Sequence, residues 1–351
     1  MRNVLFVTPA LDSKTGGGIV SAALRSVVQG LSASFHEVSL SKPVAAKEKM
    51  RLSLQGFLQG MNPEKEKEID RLISSCGIDT VVFNTSYYGQ SLRKLKKKYP
   101  SVRFICFFHN VEVLFIRDFI KESKQFASLL TLAVAWHNER LAARFADAVV
   151  CLNRRDAGQI TRIYHRKPDA IAPLSLEDHF DETRLHAAPD TVGAFIGSNF
   201  YANYYGVKWF AENVAPHIST KILIIGKGFE KCRNEFAGIP NMEVIGTVDD
   251  VSRYYYAISF IVSPIFLGSG MKTKTAEALM YGKTVFGTTE AFQGYDVDFE
   301  KVGGLCNTAA DFIHEINSFE KSANQFNPYS RRAFVEKYSL EAFRKIIQTV
   351  L

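Results

Sequence analysis

The string Gly268-Ser269-Gly270-Met271-Lys272-Thr273-Lys274-Thr275-Ala276-Glu277-Ala278-Leu279 holds the densest chemistry in this sequence, directly after an apolar run that ends at Ser263-Pro264. Small residues let backbone amides approach an anion, and a helix opening at that point adds the partial positive charge of its dipole. Lys272 and Lys274 add two full charges. If the string is helical, Gly270, Lys274 and Glu277 share one face. A diphosphate at the amino end then places an attached ribose near Glu277, whose carboxylate can accept hydrogen bonds from two hydroxyls. A plain Gly-rich turn with a surface Lys–Glu pair explains the glycines alone but not the whole combination.

Three further constellations have chemical content. Gly16-Gly17-Gly18 follows the first apolar run and precedes a helix expected from about Ile19, so its backbone could touch a phosphate; a flexible loop is the competing reading. Neither this triplet nor Gly226-Lys227-Gly228 is the Gly-x-Gly-x-x-Gly dinucleotide fingerprint, which disfavours a nicotinamide-dependent dehydrogenase. His109 stands at the end of the apolar run Arg103 to Phe108, where an imidazole can donate a hydrogen bond or exchange a proton. Asp296-Val297-Asp298 resembles a carboxylate pair that holds a metal-diphosphate, but it follows no convincing strand, and clusters of Cys and His with metal-ligand spacing are absent.

The elements that must position these residues alternate. Apolar runs at Val4 to Thr8, Thr80 to Asn84, Arg103 to Phe108 and Ala148 to Leu152 read as buried parallel strands, and a second set follows at Val192 to Ile196, Lys221 to Gly226, Val244 to Gly246 and Phe260 to Pro264. Helical segments such as Gly206 to Val214 and Thr273 to Tyr281 lie between them, the latter closed by Gly282. The polar, proline-bearing stretch from Tyr164 to Asp190 separates the two sets. The expected fold class is α/β, with two facing Rossmann-like parallel-sheet domains and a cleft between them: 1–175, 176–330, and a C-terminal helix over 331–351 packing back on the first domain. In open α/β sheets ligands sit at the carboxyl ends of the strands, so the loops there matter most.

A length of 351 residues suits two domains of roughly 150 residues. With 46% hydrophobic and 23% charged residues the chain can bury a core. Five well-separated cysteines without a Cys-x-x-Cys pair suit a reducing cytoplasm. No segment reaches the roughly 18 uninterrupted apolar residues of a membrane span, so any membrane contact is expected to be peripheral. The net charge of +7 hides an asymmetry: residues 1–175 carry 26 Lys+Arg against 15 Asp+Glu, net +11, and residues 176–351 carry 17 against 21, net −4. A basic half is drawn to phosphate-bearing surfaces. Its clusters, Arg93 to Lys98 and Arg154 to Lys167, fit solvated helix faces equally well. No nucleic-acid module is recognisable, and no nucleic-acid partner is expected.

These residues resemble a GT-B glycosyltransferase, most closely the retaining glycosyltransferase family 4 of bacterial polysaccharide synthesis, over nearly the full length. In the first half the resemblance rests on Gly16 to Gly18, His109-Asn110-Val111-Glu112, Glu139 through Arg144, Ala146-Asp147 and Cys151-Leu152. In the second it rests on Phe195-Ile196-Gly197-Ser198, Asn203, Gly206-Val207-Lys208-Trp209-Phe210, Gly226-Lys227-Gly228, Gly246-Thr247-Val248-Asp249-Asp250 and Gly268 to Gly282. The resemblance implies that Lys272 and Lys274, with the amides of Ser269 to Met271 beside Gly268, hold the diphosphate of a nucleotide-sugar. It implies that Glu277 binds the ribose, Gly246 and Val248 contact the base, Gly17 and Gly18 close on phosphate and sugar, and His109 touches the transferred sugar. One position departs from the family pattern: the usual glutamate eight residues before Glu277 is Ser269 here, as in a Gly-Ser-Gly variant among relatives.

The activity so implied is sugar transfer from a nucleoside-diphosphate-sugar, UDP-linked above others, to a hydroxyl of a glycan or lipid-diphosphate-linked acceptor. Retention of configuration and independence of any metal are implied with it, and no cofactor is expected because the nucleotide-sugar is itself a substrate. The basic half would then face an anionic membrane from the cytoplasm. A sugar-nucleotide epimerase of the same fold, or a binding subunit with a degenerate site, remains open.

Overall fold

The computed structural model describes residues 2–10, 16–41, 45–123, 128–185, 191–268, 270–320 and 325–351. The chain divides into two compact units, Met1–Leu174 with Phe343–Leu351, and Ser175–Ala342.

The first unit contains a six-stranded sheet of β1 (Arg2–Pro9), β2 (Ser32–Leu40), β3 (Thr80–Phe83), β4 (Arg103–Phe108), β5 (Ala148–Cys151) and β6 (Ala170–Ile171). The spatial order is β2-β1-β3-β4-β5-β6, and every pairing is parallel. Central strands such as Thr80–Phe83 and Ala148–Cys151 are buried along their whole length, which explains their unbroken apolar composition. Phe83, Phe104 and Phe108 anchor this core, each fully buried aromatic contributing on the order of 2 kcal/mol. The stretch expected as one C-terminal helix is broken into a helix over Pro328–Ala333, a π-helical turn over Phe334–Tyr338 and a helix over Leu340–Val350. From Phe343 onward it belongs to the first unit, where the Phe343 ring lies 6.4 Å from that of Phe107.

The second unit repeats the plan with β7 (Val192–Ile196), β8 (Lys221–Ile225), β9 (Met242–Gly246), β10 (Phe260–Ser263), β11 (Thr284–Gly287) and β12 (Gly303–Leu305), in the order β12-β11-β10-β7-β8-β9 and all parallel. Its core gathers Phe195, Phe210, Phe260, Phe286 and Phe312. The helix over Tyr201–Asn213 approaches so closely at Gly206 that an added Cβ would lie 1.9 Å from the Pro264 carbonyl oxygen, which pins the chain as it leaves β10. Among the described residues no helix is long and apolar enough to cross a membrane.

Candidate anion site and histidine relay

The order β10-β7-β8-β9 sets the carboxyl ends of four strands side by side, and the loops leaving them carry most of the candidate residues of the second unit. After β10 the chain turns through Gly268 (φ +118°) and Gly270 (φ +70°), backbone values that side chains with a Cβ rarely adopt. Ser269 lies outside the described residues. The following helix runs over Thr273–Met280 with Lys272 as its N-cap residue, no side-chain cap and no acidic residue in its first turn. A helix start so arranged favours an anion. Gly270 lies before the helix and not on its face, contrary to expectation; Lys274 and Glu277 are helical neighbours. Met271 is buried.

Lys272 folds back over its own loop: its Nζ donates to the Gly270 carbonyl at 2.8 Å and pairs with Glu290 Oε1 at 2.7 Å. The Tyr295 hydroxyl donates to the Lys272 carbonyl at 2.6 Å and fixes the backbone. Lys274 points across to β7. Its Nζ donates to Asn203 Oδ1 at 2.6 Å and stands 4.3 Å from the centre of the Phe195 ring. Gly197 leaves the room: a Cβ there would come within 2.9 Å of Nζ. Burial, reinforced by the charge of Lys272 and opposed by Glu277, pushes the Lys274 ammonium down to about 7. Glu277 accepts from the Tyr255 hydroxyl at 3.1 Å, and Tyr255 is itself buried and stacked 4.6 Å from Tyr281. Burial raises the Glu277 carboxyl, against the opposing effects of Tyr255 and Lys274.

The neighbouring loops are tied together. Gly246 ends β9 at φ +82°, and its carbonyl accepts from Gly226 N–H at 2.7 Å. Glu230 Oε2 accepts from Gly228 N–H at 2.9 Å and from the Thr247 hydroxyl at 3.1 Å, so the glycine turn after β8 is fixed to the segment that leads to half-buried Val248. The sequence reading missed Glu290 and Tyr255, and gave no role to Phe195, Gly197 or Asn203. Nothing in the local spacing signals those long-range contacts.

In the first unit, the helix after β1 starts at Gly16 and not near Ile19, so Gly17 and Gly18 occupy its first turn and not a loop. A Cβ on Gly17 would meet nothing within 4 Å, so packing within the unit does not demand glycine there. His109 follows β4 as expected. Its Nε2 lies 2.7 Å from Asn84 Oδ1, and its ring sits 5.0 Å from that of Phe107. Burial pushes the imidazole down to about 4, which keeps it neutral at physiological pH. The following turn is held by the buried Glu139 carboxylate, which accepts from the backbone N–H of Glu112 at 3.0 Å and of Val113 at 3.1 Å, and from the hydroxyls of Ser86 and Tyr164.

Two other expectations meet structural partners. Lys94, Lys96 and Lys98 pair with Glu66, Asp147 and Asp70, and Arg166 with Asp169, so part of the basic surplus is neutralised inside the unit. Asp296 pairs with Lys337, and Asp298 caps the short helix over Phe299–Val302.

Residues 190–319 match the family model described as glycosyl transferases group 1. A search of curated proteins by sequence finds no match. Solved structures match the chain along nearly its whole length at low identity. Anabaena Alr3699/HepE in complex with UDP superposes with a TM-score of 0.69 at 11% identity, covering 99% of this chain and 98% of that one. The same Anabaena protein in complex with UDP-glucose gives 0.64 at 12%, covering 100% and 99%. The lipopolysaccharide outer core galactosyltransferase WaaB, in its apo form, gives 0.69 at 12%, covering 99% and 98%. A glycosyltransferase from Rickettsia africae gives 0.67 at 13%, covering 99% and 97%. The fold is thus α/β of the GT-B class, with two six-stranded parallel sheets.

Proposed function

We propose that this chain is a glycosyltransferase that takes a nucleoside-diphosphate-sugar, a UDP-sugar above others, and transfers the sugar with retention to a hydroxyl of a glycan or lipid-diphosphate-linked acceptor in cell-surface polysaccharide synthesis. The observation that carries the reading is the pair Lys272 and Lys274 at the opening of an uncapped helix on the carboxyl edge of the second sheet. The segment that matches the group 1 model contains both lysines, and Anabaena HepE, of the same fold, is known in complex with UDP and UDP-glucose.

Transfer breaks the bond between the sugar's anomeric carbon and the diphosphate oxygen, leaving negative charge on the diphosphate and positive charge on the sugar. In this reading Lys272, Lys274 and the helix amides stabilise the first charge, the preorganised arrangement that usually contributes most to catalysis. Lys272 meets the diphosphate by loosening its pair with Glu290. Glu277, oriented by Tyr255, receives the ribose hydroxyls. Gly246 and Val248 flank the base, Gly17 and Gly18 offer first-turn amides, and neutral His109 serves the transferred sugar. The lysines supply the cationic charge, so no metal is assigned to the diphosphate.

The test is thermal unfolding in the presence of UDP, GDP and ADP and their glucose, galactose and N-acetylglucosamine conjugates. A ligand at a hundred times its Kd stabilises the folded state by about 2.7 kcal/mol. UDP and at least one UDP-sugar are expected to raise the transition; no shift with any nucleotide sinks the reading. Chromatography of the stabilising donor, incubated alone, separates the competing activities: conversion to an isomeric nucleotide-sugar identifies an epimerase, and binding without turnover in any acceptor mixture identifies a degenerate subunit.

Membrane contact is proposed for the first unit. The exposed Lys47, Lys49 and Arg51 stand on the helix Ala46–Leu54 beside exposed Met50 and Leu54, a mixture suited to an anionic lipid surface. Flotation with vesicles is expected to carry the protein upward only when anionic lipid is present, and less so as salt rises. Equal partitioning onto neutral vesicles overturns the proposal.

A further inference from the structure

The adjacent strands β1, β3 and β4 bring Thr8, Asn84 and His109 together across the carboxyl edge of the first sheet. Register sets Val7 opposite Phe83, and the Asn84 backbone N–H donates to the Val7 carbonyl at 2.8 Å, which fixes Asn84 beside Thr8. Both side chains are buried. The direction of each hydrogen bond then follows from what each atom can still do. The Thr8 hydroxyl donates to the Pro9 carbonyl at 3.1 Å, so its oxygen can only accept, and it accepts from Asn84 Nδ2 at 2.9 Å. The Asn84 amide is thereby oriented with Oδ1, an acceptor only, facing His109 Nε2 at 2.7 Å. Nε2 must carry the ring proton. Nδ1 is left with its lone pair, buried and with no hydrogen-bond partner among the described residues.

We propose that Thr8 and Asn84 are positioning residues that lock His109 as its Nε2–H tautomer and so make Nδ1 a fixed hydrogen-bond acceptor for one hydroxyl of the bound ligand. That this ligand is a nucleotide-linked sugar rests on the donor reading above; the tautomer does not. The ring, largely withdrawn from water, resists a second proton. Nδ1 therefore accepts a hydrogen bond without taking the proton, and acts on the orientation of the ligand and not as a general base. The opposite amide orientation would move the ring proton to Nδ1 and turn the same atom into a donor, which selects a different ligand group.

Nuclear magnetic resonance of the full chain with isotope-labelled histidine separates the two, with His109→Gln assigning the resonance among the eight histidines. At neutral pH the wild type is expected to show Nδ1 unprotonated and Nε2 protonated. Asn84→Asp keeps an acceptor against Nε2 and should preserve that tautomer while shifting the ring's titration upward. Asn84→Ala and Thr8→Val should each produce a mixture of tautomers. A protonated Nδ1 in the wild type, or an unchanged tautomer in both variants, overturns the proposal. If Asn84→Ala fails to fold, the wild-type spectrum and Thr8→Val decide. Adding UDP alone should leave Nδ1 in place, whereas at least one of UDP-glucose, UDP-galactose and UDP-N-acetylglucosamine should move it. UDP binding with no movement by any of the three overturns the hydroxyl assignment alone; no nucleotide binding overturns the donor reading and leaves the tautomer result standing.

Discussion

Lys274→Ala is expected to lower turnover at saturating donor by about 10²–10³-fold, the usual consequence of removing one preorganised group from a developing anion. The fold should survive. Lys274 is a cation that the protein holds against its solvation preference, as its depressed titration shows, so deleting the charge relieves a desolvation cost while losing the contact with the Phe195 ring and the bond to Asn203. These terms oppose each other, and the thermal transition should stay close to that of the wild type. Lys274→Arg should rescue little, because the planar guanidinium is larger than an ammonium and Gly197 already lies so near that a Cβ there would come within 2.9 Å of Nζ. Steady-state assay of the donor selected by thermal unfolding, with circular dichroism on each variant, checks both halves. An unchanged rate in folded Lys274→Ala removes the lysine from the chemistry.

The local part of this site was legible in the sequence. The unbroken run Phe260–Ser263 reads as a buried strand because both its faces are covered, and the glycines after it are needed for positive φ. The helix that carries Lys274 and Glu277 was bounded correctly at Thr273 and within a residue at its end, with Gly282 at φ +58° closing it. β2 escaped because it is an edge strand, alternately polar and only partly buried over Ser32–Leu40, so it lacks the continuous apolar run of the central strands. β11 holds only Val285 and Phe286 between Thr284 and Gly287, and β12 only Leu305 after two glycines, so neither has the apolar run that marks the other buried strands. What spacing could not show is partnership. The Glu290 contact of Lys272 spans 18 positions and the Asn203 contact of Lys274 spans 71, and both depend on the order in which strands assemble. The same holds for Thr8 and Asn84, which are unremarkable as single polar residues and join the strand-end His109 in a directed relay only when β1, β3 and β4 lie side by side.

With Lys274 on the diphosphate as proposed, its depressed titration is expected to make UDP affinity fall as pH rises above about 7. In the free protein Lys274 loses its proton from about pH 7 upward, whereas a bound diphosphate favours the ammonium and raises its titration. Binding therefore takes up a proton in the interval between the two values. Each pH unit within that interval weakens binding by up to about tenfold. The folding linkage has the opposite sign. Lys274 is depressed in the folded chain relative to its usual 10.5, so the unfolded chain binds more protons between about pH 7 and that value, and this group's contribution to stability rises with pH there. Lys283, buried with its Nζ on the carbonyls of Ile258 and Gln325 and pushed down to about 8, adds to the stability term but stands outside the proposed contacts with the diphosphate. The two effects are thus separable in one protein: from pH 7 to 9 these lysines should favour the ligand-free fold while the stabilisation given by UDP shrinks. Calorimetric titration of UDP in buffers of differing ionisation enthalpy counts the protons directly. Uptake is expected in the wild type at pH 8 and should vanish in Lys274→Met, which keeps the length of the side chain without its charge. Equal uptake in that variant assigns the proton to another group and removes Lys274 from the binding step.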